Sequence, residues 1–223
     1  MREIALDIET TGLEFKEGHK IIEIACIELS NHIPTGKIFQ TYVNPLRENS
    51  LSAKEKHGIS DDFLKDKKIF KEIVPNFLNF IKESPLIAHN GSFFDIPFLN
   101  YELKVNDFNT LKNPIIDTLT IARKKFPGSQ INLDALCKRY KIDNSKRKKH
   151  TAIIDCELLN KVYINLIDQK EPLLNFHMNE ISEVNSEKNN IISYSKKIIK
   201  PTKEEIKLHK LFLKSRLKKN FFN

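Results

Sequence analysis

The sequence has 223 residues, of which 40% are hydrophobic, and this is enough for one compact domain and a tail. Its apolar runs fall short of the roughly 20 residues that a membrane-spanning helix needs, and charged residues interrupt the start, so we expect a cytoplasmic protein without a signal peptide. The three cysteines are far apart and odd in number, which favours buried free thiols over a disulfide framework or a zinc site.

The net charge of +8 is concentrated near the end of the chain. Residues 196–223 hold ten Lys and Arg against two Glu, so the rest of the chain is neutral overall. A second basic run, residues 137–150, has seven Lys and Arg against one Asp. Such a run usually forms a solvated face, unless it adjoins a site that handles phosphates.

The first half of the sequence predicts a sheet followed by a helix. Three β-like runs occupy residues 3–8, 21–29 and 36–44. Gly- and Pro-containing turns separate them, the second at residues 34–36, so we expect an antiparallel meander. Residues 70–82 repeat apolar side chains at spacings of three and four, which predicts a helix.

The second half predicts helices packed on that sheet. A short apolar run at residues 85–90 is typical of another strand. Helices are predicted at residues 95–104, 116–126, 132–141 and 151–167. The sum is a mixed sheet flanked by helices, an α/β or α+β architecture.

Near residue 168 the composition changes to Asn, Ser, Glu and Lys without a sustained period, which predicts a flexible linker. We therefore divide the chain into a domain at 1–168, a linker at 169–200 and a tail at 201–223. The tail has a helical pattern, and Thr202 and Glu205 have the spacing of a capping box.

Two acids stand at the end of the first predicted strand. Alternation places Asp7 and Glu9 on one face and Ile4, Leu6 and Ile8 on the other. Two carboxylates a few ångström apart repel each other unless a cation lies between them. Taken alone, the pair fits a strand end in water equally well, because Asp-x-Glu is a short pattern.

Two later clusters favour a shared site. "AHNGSFFD" places Asp95 at the start of a predicted helix, and "KKHTAIIDC" places His150 and Asp155 five residues apart at the start of another. A spacing of five is about 500° on a helix, so the two side chains would diverge if both were helical. We therefore place His150 at the helix entrance, above the site that Asp155 lines.

Together these segments resemble the DEDDh 3′→5′ exonucleases. The matching positions are Asp7-x-Glu9-Thr10-Thr11-Gly12, His89-Asn90 with Phe94-Asp95, and His150 with Asp155. The resemblance covers nearly the whole chain and is greatest to the proofreading exonucleases of bacterial replicative polymerases. It implies the ribonuclease-H-like fold, a mixed sheet flanked by helices, with a flexible linker and a C-terminal helical tail.

The resemblance also implies phosphodiester hydrolysis assisted by two Mg²⁺ or Mn²⁺ ions, which prefer oxygen ligands. We expect Asp7, Glu9 and Asp155 to be the principal metal ligands and Asp95 to be a fourth acid of the site. His150 is the expected general base, because an imidazole can accept a proton from water at physiological pH.

The expected substrate is the 3′ end of a DNA strand. Asp7, Glu9 and Asp155 would meet it through the metal site. The further residues expected to contact it are Thr10, Thr11, Ser52 and His57. His57 could also be an ordinary loop histidine, and the basic residues 146–149 are candidates for phosphate contacts.

The family implies partners in the replication machinery. We expect the tail to bind the polymerase catalytic (alpha) subunit, although a disordered basic tail that binds nucleic acid nonspecifically is an alternative. In "EPLLNF", residues 171–176, Leu174 and Phe176 resemble a sliding-clamp peptide or are anchors that pack on the domain. The sequence leaves open whether a theta-type small subunit binds.

The sequence therefore predicts a proofreading exonuclease. One alternative is an RNA-trimming or general single-strand exonuclease of the same family. A second alternative is a non-catalytic scaffold that stabilises a polymerase, but the complete set of acids and His150 argues against it.

Overall fold

The computed structural model describes residues 1–167 and 201–216, and the chain divides into two compact units, residues 1–175 and 176–223. The strands are β1 (Arg2–Thr10), β2 (Ile21–Ser30), β3 (Ile33–Tyr42), β4 (Leu86–Ala88) and β5 (Ile115–Asp117). The helices of the first unit are α1 (Leu51–His57), α2 (Asp61–Lys65), α3 (Phe70–Ile81), α4 (Asp95–Val105), α5 (Thr118–Lys125), α6 (Leu133–Tyr140) and α7 (Ala152–Leu166). Helix α8 (Lys203–Arg216) belongs to the second unit. Within these described ranges, no helix is long and apolar enough to cross a membrane.

The five strands form one mixed sheet in the order β3-β2-β1-β4-β5. Strands β1, β2 and β3 pair antiparallel, which confirms the predicted meander, and β4 and β5 continue the sheet in parallel. The predicted helix at 116–126 is wrong at its start, because Ile116 and Asp117 pair with β4. Asp117 then accepts hydrogen bonds from Leu119 N and Thr120 N, so α5 begins after it.

The turn between β2 and β3 lies at Asn31 and His32, not at residues 34–36 as predicted. Both residues have positive φ, 49° and 67°, which is the conformation of a tight hairpin turn whose twist matches its strands. Pro34 and Gly36, which predicted the turn, lie instead inside β3, in the part whose pairing with β2 is irregular. Pro is tolerated there because β3 is an edge strand.

The two faces of the sheet have different partners. Ile4, Leu6 and Ile8 pack into the main core, which also contains residues of α3 and α4. On the opposite face, Ala5 packs with Leu159 and Tyr163 of α7, and the Tyr163 hydroxyl donates to Glu3 at 2.8 Å. The predicted alternation along β1 is therefore confirmed, and it turns the acids of β1 toward α7.

The sequence analysis missed two short helices, α1 and α2, of which α1 lies beside the end of β1, where Ser50 N donates to Thr11 O. Ser50 and Ser60 cap them by accepting hydrogen bonds from Ala53 N and Phe63 N. Gly58 ends α1 with φ of 74°. The three cysteines are buried free thiols, as predicted.

Helix α8 begins with the predicted capping box. Thr202 N donates to Glu205 Oε2 at 2.7 Å, and Glu205 N donates to Thr202 Oγ1 at 3.2 Å. The helix exposes four large apolar side chains: Ile206, Leu208, Leu211 and Phe212. The predicted linker at 169–200, with Leu174 and Phe176, lies outside the described residues.

Candidate active site

One cleft of about 610 Å³ lies where β1, α4 and α7 meet, and α1 forms part of its wall. Its lining includes eight of the predicted site residues: Asp7, Glu9, Thr10, Ser52, His57, Asp95, His150 and Asp155. Strand β1 supplies the first pair of acids, while Asp95 is the first residue of α4 and Asp155 lies in the first turn of α7. Segments far apart in the sequence thus bring four carboxylates together.

Among the described residues, Thr11 is the predicted site residue that does not line this cleft. It is fully buried, its N–H donates to Lys20 O, and its C=O accepts from Ser50 N. Thr11 therefore joins the loop after β1 to the start of α1. Thr10 borders the cleft, and its hydroxyl donates to Gly12 O at 2.7 Å.

The acids of the cleft are held at an electrostatic cost. Burial, with repulsion from Asp95, Asp155 and Glu9, raises the pKa of Asp7 well above its usual range. Burial also raises the pKa of Glu9 to about 8 and the pKa of Asp95 to about 7. Burial disfavours the charged form of each carboxyl group, and neighbouring negative charges add to that effect.

Three side chains of the cleft fit the divalent metal that the sequence predicts, and Asp7 and Asp95 are not in this group. Glu9, His150 and Asp155 each offer one ligand atom, and the three atoms lie within 4.8 Å of one another. A divalent cation would offset both the burial of the carboxylates and their mutual repulsion. The predominance of oxygen donors suits Mg²⁺ or Mn²⁺.

His150 lies just before α7, as predicted, and its backbone N–H donates to Lys56 O at 3.1 Å. Its Nδ1 lies 3.2 Å from Asp155 Oδ2 and 2.9 Å from Arg147 Nη2. Burial, together with the charge of Arg147, lowers the pKa of His150. The ring is therefore neutral at physiological pH, which leaves it able to accept a proton.

His57 lines the cleft and carries a buried hydrogen-bond donor. Its Nδ1 accepts from Ile59 N at 3.0 Å, and burial lowers its pKa to about 4, so the neutral ring carries its proton on Nε2. This Nε2 is buried and has no hydrogen-bond partner among the described residues. An unpaired donor at a cleft wall is costly unless a ligand accepts from it.

Two charged cleft residues, Lys56 and Asp134, were assigned no site role from the sequence, whereas Arg147 was a candidate phosphate contact of the basic run. Lys56 follows no recognisable motif, yet its charge lowers the pKa values of Glu9 and Asp95 against the effect of burial. Arg147 is turned inward with 8% of its side chain exposed, whereas Lys146, Lys148 and Lys149 are exposed. Sequence position alone does not distinguish the inward residue of such a run.

Glu23 of β2 holds the start of α7, which carries Asp155. This fully buried side chain accepts from Ala152 N at 3.1 Å and from Gln40 Nε2 at 2.8 Å. Thr151, at the N-cap position of α7, makes no side-chain capping bond, so Glu23 supplies the acceptor from the sheet. In the sequence, a buried role for Glu23 is indicated by its place as an acid inside the apolar run "IIEIACIEL".

Asp117 plays a similar part for Asp95. Its Oδ1 accepts from Asn90 N at 3.1 Å, and its Oδ2 accepts from Ser92 N at 3.0 Å. These bonds fix the segment that leads from β4 into α4. Asp117 was missed because the sequence placed it inside the predicted helix at 116–126, whereas it ends β5.

Comparisons with known proteins identify the family. The exonuclease family model matches residues 4–163. The DNA polymerase III subunit epsilon of Rickettsia felis is 46% identical over 225 residues, covering 98% of each chain. This chain belongs to the epsilon family of exonucleases. Another epsilon-family relative, from Haemophilus influenzae, is 39% identical and covers 98% of this chain and 92% of its own.

Solved structures share the fold of this epsilon-family chain. The nuclease domain of 3′hExo, a DEDDh family member bound to rAMP, has a TM-score of 0.64 at 19% identity, covering 74% of this chain and 91% of its own. E. coli Exonuclease I in complex with a dA16 oligonucleotide has a TM-score of 0.66 at 16% identity, covering 77% of this chain and 41% of its own. The predicted ribonuclease-H-like α/β fold is confirmed.

The contact of Glu23 with α7 leads to a testable prediction. We expect Glu23→Ala to leave Ala152 N–H without its acceptor, to destabilise the domain by about 1–3 kcal/mol and to lower kcat, because Asp155 and His150 lose a fixed support. Glu23→Gln keeps an acceptor oxygen and should retain most of the activity. Gln40→Ala removes the other partner of Glu23 and is the matched control. Urea unfolding and single-turnover digestion measure both effects, and equal kcat values for Glu23→Ala and Gln40→Ala would contradict this role.

Proposed function

We propose that this epsilon-family exonuclease removes mispaired nucleotides from the 3′ end of DNA by metal-dependent hydrolysis. The observation that carries the proposal is the convergence of Asp7, Glu9, Asp95 and Asp155 with His150 in one cleft. The raised pKa values of Asp7, Glu9 and Asp95 support it, because buried acids that are destabilised when charged are suited to holding a cation.

We assign Asp7, Glu9 and Asp155 as the ligands of two Mg²⁺ or Mn²⁺ ions, with Asp95 as a supporting acid. When bound, the ions would supply positive charge to the reacting phosphate and lower the pKa of the attacking water. His150 accepts the proton of that water at Nε2, since its Nδ1 faces the Asp155 carboxylate. Asp155 thereby also orients the imidazole.

The walls of the cleft hold the terminal nucleotide. His57 donates from Nε2, the buried nitrogen that lacks a partner among the described residues. Thr10, at the end of β1, and Ser52, in α1, border the cleft, and Lys56 adds a positive charge that suits a phosphate. A terminus that is already unpaired enters such a site without the cost of separating a base pair.

The metal and the base give the first prediction for function. With Mg²⁺ we expect release of nucleoside monophosphates from the 3′ end, faster for a mispaired than for a paired primer, and loss of activity in excess EDTA.

His150→Ala should lower the rate by about 10² to 10⁴ without a comparable loss of Mg²⁺ affinity, because the ring acts on a proton. Single-turnover digestion of end-labelled primers, together with calorimetric Mg²⁺ titration, measures both.

His209→Ala is the matched control, because His209 is an exposed residue of α8. An RNA strand of the same sequence tests the alternative of an RNA-trimming enzyme, and faster digestion of RNA than of DNA would favour it. Full activity in EDTA, or products from the 5′ end, would contradict the proposed hydrolysis.

We also propose that α8 binds the polymerase catalytic subunit. Two observations support an apolar partner surface: Ile206 and Leu208 point to opposite sides of the helix, and both are exposed together with Leu211 and Phe212. A solitary surface helix rarely carries apolar side chains on two sides. The sliding-clamp role of Leu174 and Phe176 stays a prediction from the sequence.

The tail proposal predicts separate losses. Deleting residues 190–223 should leave digestion of free oligonucleotides intact and abolish copurification with the polymerase subunit. Leu208→Gln combined with Leu211→Gln should weaken the same association while keeping every basic residue, with His209→Gln as the control. Continued copurification of the truncated chain would place the anchor within residues 1–189. Normal copurification of the double variant would favour a purely basic contact.

A further inference from the structure

Arg147 is bound to one of the proposed metal ligands. Its Nε donates to Asp155 Oδ1 at 2.6 Å, and its Nη2 donates to Asp155 Oδ2 at 2.7 Å. This is a two-bond fork between a guanidinium and a carboxylate, the strongest ordinary form of such a pair. Both side chains are largely buried, with 8% and 6% exposed. The pair is therefore a built feature of the cleft and not a surface contact.

A divalent ion and this guanidinium make competing demands on Asp155. The fork engages both carboxylate oxygens, which are the atoms that an ion would need. The two cations would also repel each other across one carboxylate in a partly buried site. Simultaneous full engagement of Asp155 by both is unfavourable.

The contacts of His150 also indicate that Arg147 and Asp155 cannot keep all of these hydrogen bonds at the same time. A guanidinium can only donate, so Arg147 Nη2, at 2.9 Å, requires Nδ1 of His150 to be an acceptor. The Asp155 carboxylate can only accept, so Oδ2, at 3.2 Å, requires Nδ1 to carry a proton. No single proton position satisfies both contacts. The Arg147–His150 and Asp155–His150 bonds are therefore alternatives.

Asp134 of α6 gives Arg147 a second partner that is not a proposed ligand. Its Oδ2 lies 2.7 Å from Arg147 Nη1, and its Oδ1 accepts from Asn144 Nδ2 at 2.9 Å. The Asp134 side chain is 55% exposed, so it lies at the rim of the cleft. Arg147 can leave Asp155 and remain held at that rim.

We propose that Arg147 and a divalent ion are alternative partners of Asp155, so that ion binding releases the guanidinium from Asp155 and His150 while Asp134 retains it. The inference rests on the proposed metal site. It makes Arg147 a positioning residue that lowers the metal affinity of the free enzyme and, on release, leaves Nδ1 of His150 to donate to Asp155.

Calorimetric titration of the full chain with Mn²⁺, without DNA, tests this inference. We expect Arg147→Gln to bind Mn²⁺ about tenfold more tightly than the wild type, because no fork has to be broken. Arg147→Lys keeps the charge and loses the fork, so its affinity should rise by a few fold. Lys148→Gln removes an exposed charge one residue away and is the matched control, expected within about twofold of the wild type.

Melting curves in EDTA establish that each variant is folded before titration. Unchanged or weaker binding by Arg147→Gln would overturn the inference, since Arg147 would then support the ligands. Tighter binding by Arg147→Gln with wild-type affinity for Arg147→Lys would also overturn it, because charge alone would explain the change. Absence of Mn²⁺ binding by the wild type and every variant would overturn the proposed metal site itself, and this inference with it.

Discussion

The burial of several carboxylates in one cleft is the constraint on which the rest of this structure depends. Asp7, Glu9 and Asp95 all have raised pKa values, and burial is the largest cause for each. Such a cluster would separate if its supports were flexible, so each acid is carried by an element with its own anchors. The acids of the cleft therefore lower the free energy of unfolding and, in return, give the cleft the capacity to bind cations.

The anchors lie outside the cleft. Alternation along β1 commits one face to the core and the other to α7, Glu23 holds the first turn of α7, and Asp117 holds the segment before α4. Positive groups then moderate the repulsion: Lys56 acts on several acids, and Arg147 engages Asp155 directly. The proposed exchange of Arg147 for a metal ion follows from this balance.

Sequence patterns were sufficient for the meander, for the faces of β1, and for α3, α6 and α7, because long periodic segments report directly which side is buried. The resemblance of short motifs to a known family predicted that Asp95, His150 and Asp155 share one site. Helices α1 and α2 were missed because five to seven residues are too few for a period, and Glu23 was missed because its partner is 129 residues away. The unpaired Nε2 of His57 depends on tertiary packing and has no sequence signal.

The central claim is that the carboxylates destabilise the fold until a divalent cation binds them. Melting temperatures of the wild type and Asp7→Asn, each in EDTA and in Mg²⁺, test it most directly. The account predicts that in EDTA Asp7→Asn melts higher by at least about 2 °C, which corresponds to roughly 1 kcal/mol in a domain of this size. It also predicts that Mg²⁺ raises the melting temperature of the wild type far more than that of the variant. A variant that melts below the wild type in EDTA, with no effect of Mg²⁺ on either protein, would contradict it.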